Sequence, residues 1–258
     1  MTRIFLGAMV IVTVAACSHR PTSAVSFPEG ENRVITVPLR SSNVFFIEAE
    51  QGYVMVDTGM GSSTNAVEEL FSSAGIEPAE VTLIIVTHVH PDHVGGLFSA
   101  KELTGARVLC HKNAAKFIEE GRSEPIVSHS AMGSIMGAIT PKKFKGVVPD
   151  VLTEDEFELR DYGLAGTIVH SPGHSSGSIT INLDNGETLV GDQVRGELAD
   201  LSIGKFYENK ALLIKDLETV AQHNPRVIYM SHGTYTDNQT LAEFIEEQRQ
   251  LLAADEAS

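Results

Sequence analysis

Three histidines and one aspartate fall within six residues in the run Thr87-His88-Val89-His90-Pro91-Asp92-His93. The run follows directly on the apolar stretch Val81-Thr82-Leu83-Ile84-Ile85-Val86. A short apolar run that ends abruptly in polar residues reads as a buried strand delivering its C-terminal loop to a site. Neutral imidazole and carboxylate suit a borderline divalent metal, zinc above all. Side chains of an extended segment repeat every two residues, so His88 and His90 point the same way and one ion can take both. Asp92 and His93, where the chain turns, are free to face a second ion. Clustered histidines can also decorate a polar loop, but four ligand-type residues at this spacing favour metal binding.

Similar settings recur along the chain. Thr167-Ile168-Val169-His170-Ser171-Pro172-Gly173-His174 is an apolar stretch that ends in a Pro-Gly turn and a histidine. Thr188-Leu189-Val190-Gly191-Asp192 closes on Gly-Asp, and Arg226-Val227-Ile228-Tyr229-Met230-Ser231-His232-Gly233 closes on Ser-His-Gly. Upstream, Tyr53-Val54-Met55-Val56-Asp57-Thr58-Gly59 has the same form. Each is a short β-type run whose last polar residue lies where strand meets loop.

In this order, the His-x-His-x-Asp-His run, His174, Asp192 after a glycine, His232 and the early Asp-Thr-Gly resemble the motifs of the metallo-β-lactamase superfamily. They resemble its dinuclear hydrolase branch, which includes glyoxalase II-like and lactonase-like enzymes, and the likeness spans roughly residues 33 to 250. It implies a single α/β domain, a four-layer αββα sandwich. It further implies that His88, His90 and His174 bind one divalent ion, that Asp92, His93 and His232 bind a second, and that Asp192 bridges the two. Asp57 would stand behind the ligands and orient one of them by a hydrogen bond; by its residues alone, Asp57-Thr58-Gly59 is also an ordinary turn.

Two zinc ions about 3.5–4 Å apart can share a hydroxide and lower its pKa toward neutrality. The reaction so implied is hydrolysis of an ester, thioester or lactone of a small molecule, with Asp92 holding the hydroxide's proton and passing it to the leaving group. Some features depart from particular branches. Glyoxalase II-like enzymes add a C-terminal helical region that helps bind glutathione, whereas here the sequence runs from His232 only to Ser258. Quorum-quenching lactonases carry a tyrosine three residues after the bridging aspartate. Arg195 stands there instead, and an arginine can steady an oxyanion or a carboxylate.

β-Lactam hydrolysis is one alternative, disfavoured because the superfamily's true β-lactamases use no bridging aspartate at the place of Asp192. Oxidation at a single iron, as in persulfide dioxygenase-like members, is another. A non-enzymatic metal-binding envelope protein would tolerate missing ligands, yet all seven are present.

The 258 residues are 42% hydrophobic and 21% charged, ordinary for one globular α/β domain with a sizeable core. The net charge of −15, from 34 acidic against 19 basic residues, argues against a nucleic-acid partner. At the N-terminus, Met1-Thr2-Arg3 supplies one positive charge, and Ile4 to Ala16 is almost wholly apolar. That stretch is too short for a bilayer core of ~30 Å but fits a signal-peptide apolar region.

Val14-Ala15-Ala16-Cys17 resembles a bacterial lipobox, which implies cleavage before Cys17 and its acylation, giving stable membrane anchoring. Residues 1–16 are then a signal peptide, 17–32 the anchor and a flexible tether, and 33–258 the hydrolase domain. Ser18 after the cysteine points to an outer membrane facing the periplasm, if the organism is diderm. Cys110, the remaining cysteine, reads as a small buried hydrophobe.

Strands are predicted near 33–38, 43–48, 52–57, 81–86, 106–110, 156–160, 166–170, 178–183, 187–190 and 226–230. Helices are predicted over 63–75, with Thr64 and Asn65 as caps, and over 112–120, 211–223 and 238–252, with another starting at Gly95-Gly96. Asp184-Asn185-Gly186 is a hairpin turn. Small residues at Gly95-Gly96 let the backbone pass close to a metal centre.

The segment 121–149 fits no regular element well and reads as a possible lid insertion. Within it, Met132, Ile135 and Met136 could offer a soft apolar surface to substrate, although their spacing also fits a packed helix. Lys142, Lys143 and Lys145 read as a solvated patch. His19, His111, His129 and His223 have no partner at ligand spacing, and His170 reads as a packing residue.

Overall fold

Alternation along the strands sorts the apolar side chains into three separate cores. The computed structural model describes residues 33–256; the expected signal peptide, Cys17 and the tether lie outside the described residues. A first sheet takes β1 (Val34–Pro38), β2 (Asn43–Glu48), β3 (Tyr53–Val56), β4 (Val81–Ile85), β5 (Arg107–His111) and β6 (Val151–Thr153) in sequence order. Its first three strands are antiparallel, and β3 to β6 run parallel. The second sheet is built from β7 (Glu156–Glu158), β8 (Gly166–His170), β9 (Ile179–Leu183) and β10 (Glu187–Leu189), continuing after a separate hairpin, β11 (Arg195–Glu197) and β12 (Asp200–Ser202). It is completed by β13 (Val227–Tyr229) and β14 (Tyr235–Thr236), in the order β14-β13-β10-β9-β8-β7.

Period-two alternation explains the layering. In β2, Phe45 and Ile47 face the core between the two sheets, while Val44 and Phe46 face an outer core. In β13, Tyr229 faces inward and Ile228 outward, into a third core. The outer face of the first sheet is covered by α1 (Thr64–Ala74), α3 (Leu97–Thr104) and α4 (Lys112–Glu120), with the one-turn α2 (Pro91–Val94) leading into α3. A further helix, α5 (Ala131–Ile139), follows α4 in the chain. The outer face of the second sheet is covered by α6 (Lys210–Gln222) and α7 (Asn238–Glu256). Helix, sheet, sheet, helix is the expected αββα sandwich.

The central ring of the outer first-sheet core is Phe46, fully buried and 5.5 Å from Phe71 of α1. Phe46→Ala should lower unfolding free energy by about 3–5 kcal/mol; urea denaturation monitored by circular dichroism reads it directly, and a loss below 1 kcal/mol would contradict this packing.

Several local expectations change. Ser63, not Thr64 or Asn65, caps α1, its hydroxyl accepting the Ala66 N–H at 3.2 Å. The strand near 156–160 ends at Glu158 and passes into a tight 3-10 turn. Strands β6, β11, β12 and β14 are additional, each only two or three residues long. The segment 121–149 is not wholly irregular, since it contains α5, with Gly133 and Gly137 buried and Met132, Ile135 and Ile139 largely exposed.

Gly95 needs to be small for a different reason from the one expected: a Cβ there would sit 2.4 Å from the carbonyl oxygen of Met60. Its close neighbour is the loop after β3, not a metal position. Among the described residues, no helix is long and apolar enough to cross a membrane.

Candidate metal centre

Parallel pairing delivers the chemistry to one edge of the sandwich. Asp57 follows β3, His88 to His93 follow β4, His174 follows β8, Asp192 follows β10 and His232 follows β13. Strands β3 and β4 are parallel, as are β10 and β13, and β8 is antiparallel to β9, which is antiparallel to β10. All these loops therefore leave C-terminal strand ends, where open α/β sheets ordinarily carry their sites.

Nδ1 of His90 lies 3.1 Å from Nε2 of His88 and 3.1 Å from Nε2 of His174. Ligand atoms of three sets each converge within 4.8 Å of one another: His88, His90 and His174; His88, His93 and Asp192; and Asp92, His93 and His232. Asp192 stands between the groups. Its Oδ1 is 3.3 Å from Nε2 of His93, and its Oδ2 is 3.1 Å from Nε2 of His232, 3.8 Å from that of His174 and 4.0 Å from that of His88. Nε2 of His232 is also 3.3 Å from Oδ2 of Asp92.

Behind these atoms Asp57 is fully buried and fixes two rings at once. Its Oδ1 accepts the Thr87 N–H (2.8 Å), and its Oδ2 accepts the Thr87 hydroxyl (2.7 Å) and Nδ1 of His93 (2.7 Å). With its hydrogen committed to Asp57, the Thr87 oxygen is left to accept from Nδ1 of His88 at 3.1 Å. With Nδ1 of each ring facing an acceptor, Nε2 of both His88 and His93 is turned into the centre.

The donor set fits a borderline divalent cation. Nε2 of His93 and Oδ1 of Asp192 are buried without a hydrogen-bond partner, although 3.3 Å apart. Burial and neighbouring imidazoles pull His88 down, and burial dominates for His90 and His174, the latter lowered to about 3, so these rings are neutral. Burial also acts to lower His93 and His232, but Asp192 and its neighbours outweigh it, raising His93 and holding His232 at about 9. The carboxylates thus demand positive charge at this spot, from protons or from a cation.

Glu124 ties the loops together. Its side chain is buried; Oε2 accepts the Val89 N–H (2.8 Å) and the Ser175 hydroxyl (3.0 Å), and Oε1 accepts the Gly177 N–H (2.8 Å) and the Ser176 hydroxyl (3.2 Å). Val89 lies between His88 and His90, and the other three donors follow His174 immediately. One carboxylate therefore spaces the loops that carry all three histidines of one set.

Asp92, Asp192 and His232 are the open side of the centre, with 13–21% of each side chain exposed. A cleft of about 250 Å³ lies over them, walled by Met60, Ile126, Met136 and Phe206 and edged by Arg195 and Lys205.

The model describing the metallo-beta-lactamase superfamily matches residues 37–232. The chain belongs to this superfamily. It is 30% identical over 202 residues to a probable metallo-hydrolase of Methanocaldococcus jannaschii, covering 76% of this chain and 90% of that protein. It is 28% identical over 157 residues to the acyl-coenzyme A thioesterase MBLAC2 of Homo sapiens, covering 55% of this chain and 53% of that one. Among solved structures, BJP-1, a subclass B3 metallo-beta-lactamase of Bradyrhizobium japonicum, superposes with a TM-score of 0.61 at 18% identity over 90% of this chain and 93% of that one. An archaeal superfamily protein from Sulfolobus tokodaii gives 0.58 at 18% identity, over 83% and 85%. At these identities the two structures show a shared fold and no more.

On this superfamily scaffold, the seven residues expected as ligands converge, with Asp57 behind them. Arg195 and Met136 line the cleft. Met132 does not: it is 62% exposed and stands one turn before Met136, about 6 Å further along the axis of α5. His170 stays out of the centre, stacked on His111 with ring centroids 3.7 Å apart, and His129 stacks on Tyr207 at 4.1 Å. Cys110 is buried, and burial pushes its thiol up to about 12, consistent with an inert packing residue. Glu124, Met60, Lys205 and Phe206 were not legible as site residues; a lone glutamate or lysine outside a motif carries no spacing signal.

Proposed function

We propose that this chain is a hydrolase that holds two divalent ions, zinc above all, and cleaves an ester, thioester or lactone of a small molecule. The observation that carries this reading is Asp192, whose carboxylate stands between the two sets: it faces His93 through Oδ1 and His232 through Oδ2 on one side, and His88 and His174 through Oδ2 on the other. A bridging carboxylate of this kind suits two ions better than one. His88, His90 and His174 would hold the first ion, Asp92, His93 and His232 the second. When bound, such a pair polarises a carbonyl and makes water a competent nucleophile near neutral pH.

The remaining work falls to the chain itself. Thr87, Asp57 and Glu124 hold the rings in place, and burial of His88, His90, His93 and His174 confines solvent access to the cleft side. Asp92, the most open carboxylate of the centre, takes the proton released from water and returns it to the departing oxygen or sulfur. The thioester option is supported by the likeness to an acyl-coenzyme A thioesterase, of whose length this chain spans about half.

Metal content per chain, with hydrolysis of simple esters, thioesters and lactones assayed before and after chelation, tests the proposal. About two zinc ions, with turnover lost on chelation and regained on adding zinc, is the expected result. One iron per chain with oxygen consumption would overturn it in favour of oxidation.

A further inference from the structure

In a chain of net charge −15, cations edging the substrate cleft are informative. Arg195 and Lys205 both line the cleft over the centre, and among the described residues neither has an ion-pair partner. They are neighbours: the stem of Arg195 packs against Gly204, where a Cβ would lie 3.6 Å from its Cδ, and Lys205 follows at once.

The position of Arg195 is built rather than loose. It opens the β11–β12 hairpin, paired with Ser202. The next residue, Gly196, donates its N–H to the carbonyl of His232 (3.0 Å) and accepts the Thr234 N–H (3.1 Å). The hairpin bearing the arginine is therefore fastened to the loop that carries His232. A second feature is apolar. Ser41 and Met60 also line an adjoining groove of about 560 Å³, mostly apolar, whose walls include Leu39, Ala66 and Leu70 beside Arg40 and Glu69.

We propose that Arg195 and Lys205 form an anion subsite, and that the substrate is an amphiphilic ester or thioester. Its acyl part lies toward Met60 and the apolar groove, and its leaving group carries a carboxylate or phosphate that Arg195 and Lys205 bind. This assignment rests on the hydrolase reading above. In the reaction, the oxygen of water bonds to the acyl carbon, the carbon–oxygen or carbon–sulfur bond of the leaving group breaks, and that group departs with a proton. The products are a fatty-type acid and an anionic alcohol or thiol. Planar guanidinium and a flexible ammonium together serve either anion, the first by paired hydrogen bonds and the second as a point charge.

The test compares octanoyl thioesters of three small thiols, one neutral, one bearing a carboxylate and one bearing a phosphate, on the zinc-loaded protein. The expected result is a kcat/KM about 10- to 100-fold higher for one or both anionic thioesters, as hydrogen bonds to charged groups allow. In Arg195→Gln and Lys205→Gln that anionic-to-neutral ratio should collapse toward one through KM, with Arg195→Lys retaining part of it. The carboxylate and phosphate arms tell which anion the subsite takes.

Calorimetric titration with inert ether analogues of the three compounds reads the subsite apart from catalysis. Equal kcat/KM for all three thioesters, equal affinity for the three analogues, or an anionic preference that survives both glutamine variants, would overturn the subsite. Tight, arginine-dependent binding of an anionic analogue, with no thioester, ester or lactone turned over, would instead sink the hydrolase reading and leave the subsite standing.

Discussion

Asp192→Ala should reduce kcat/KM by about 10³-fold or more and lower the bound metal from two ions per chain toward one. Asp192 is the residue whose oxygens face both histidine groups, at 3.1 to 4.0 Å from four imidazole nitrogens. In the proposed dinuclear centre, its loss would remove a shared ligand and, with it, the means of keeping two cations side by side. A dinuclear centre supplies several kcal/mol of charge stabilisation to the transition state, and each 1.36 kcal/mol is tenfold in rate, which sets the expected size at about 10³. The replacement should still fold, because Asp192 sits at a strand end on the cleft side and outside all three apolar cores. Asp192→Asn keeps the shape and removes the charge; it should be nearly as inactive. Metal analysis beside steady-state kinetics checks this, and an alanine variant that keeps two ions and activity within tenfold of the parent would refute the bridging role.

Glu124→Ala should be the most destabilising single change near the centre. It strips the acceptor from two backbone N–H groups and two hydroxyls at once. A buried donor left without a partner costs about 1–3 kcal/mol. Relaxation and water entry keep the sum below simple addition, so a loss on the order of 3–5 kcal/mol is expected. The loops carrying His88, His90 and His174 would then no longer be spaced by a common anchor. Residues that orient ligands from behind typically contribute 10- to 100-fold in metal affinity, and a loss of about that size is expected for the three-histidine set. Glu124→Gln should fall between, since its amide nitrogen must face a donor pair. Thermal unfolding and zinc competition against a chelator separate the two effects. Unchanged affinity in Glu124→Ala would reduce Glu124 to a purely structural residue.

The legibility of the site follows from how its parts are encoded. His88, His90, Asp92 and His93 lie in one contiguous run after a strand, so their spacing alone points to metal. Asp57, His174, Asp192 and His232 each end an apolar run, and only their order along the chain unites them. Glu124 is different in kind: it meets Val89 from 35 residues away and Ser175 from 51, and nothing local distinguishes it from a surface glutamate. Helix α5 evades periodicity for another reason. Its buried face is glycine, Gly133 and Gly137, while its large apolar residues Met132, Ile135 and Ile139 point outward, the reverse of an ordinary amphipathic helix. Strands β11 and β12 have three residues each, too few for alternation to register, yet they hold Arg195 in the cleft. The layers themselves were legible because long strands such as β2 alternate cleanly between two cores.

The proposed ligands leave different halves of the sandwich: His88, His90, Asp92 and His93 from the first sheet, and His174, Asp192 and His232 from the second. Neither half owns a complete set, so a bound cation acts as a clasp between them. Occupancy then adds to the cohesion of the two halves by ligand linkage, about 2.7 kcal/mol at a hundredfold excess over the dissociation constant. With metal bound as proposed, the durability of this protein would be coupled to metal supply. In a metal-poor compartment the same sequence would then be a weaker object, opening more often along the seam between its sheets and exposing itself sooner to proteases.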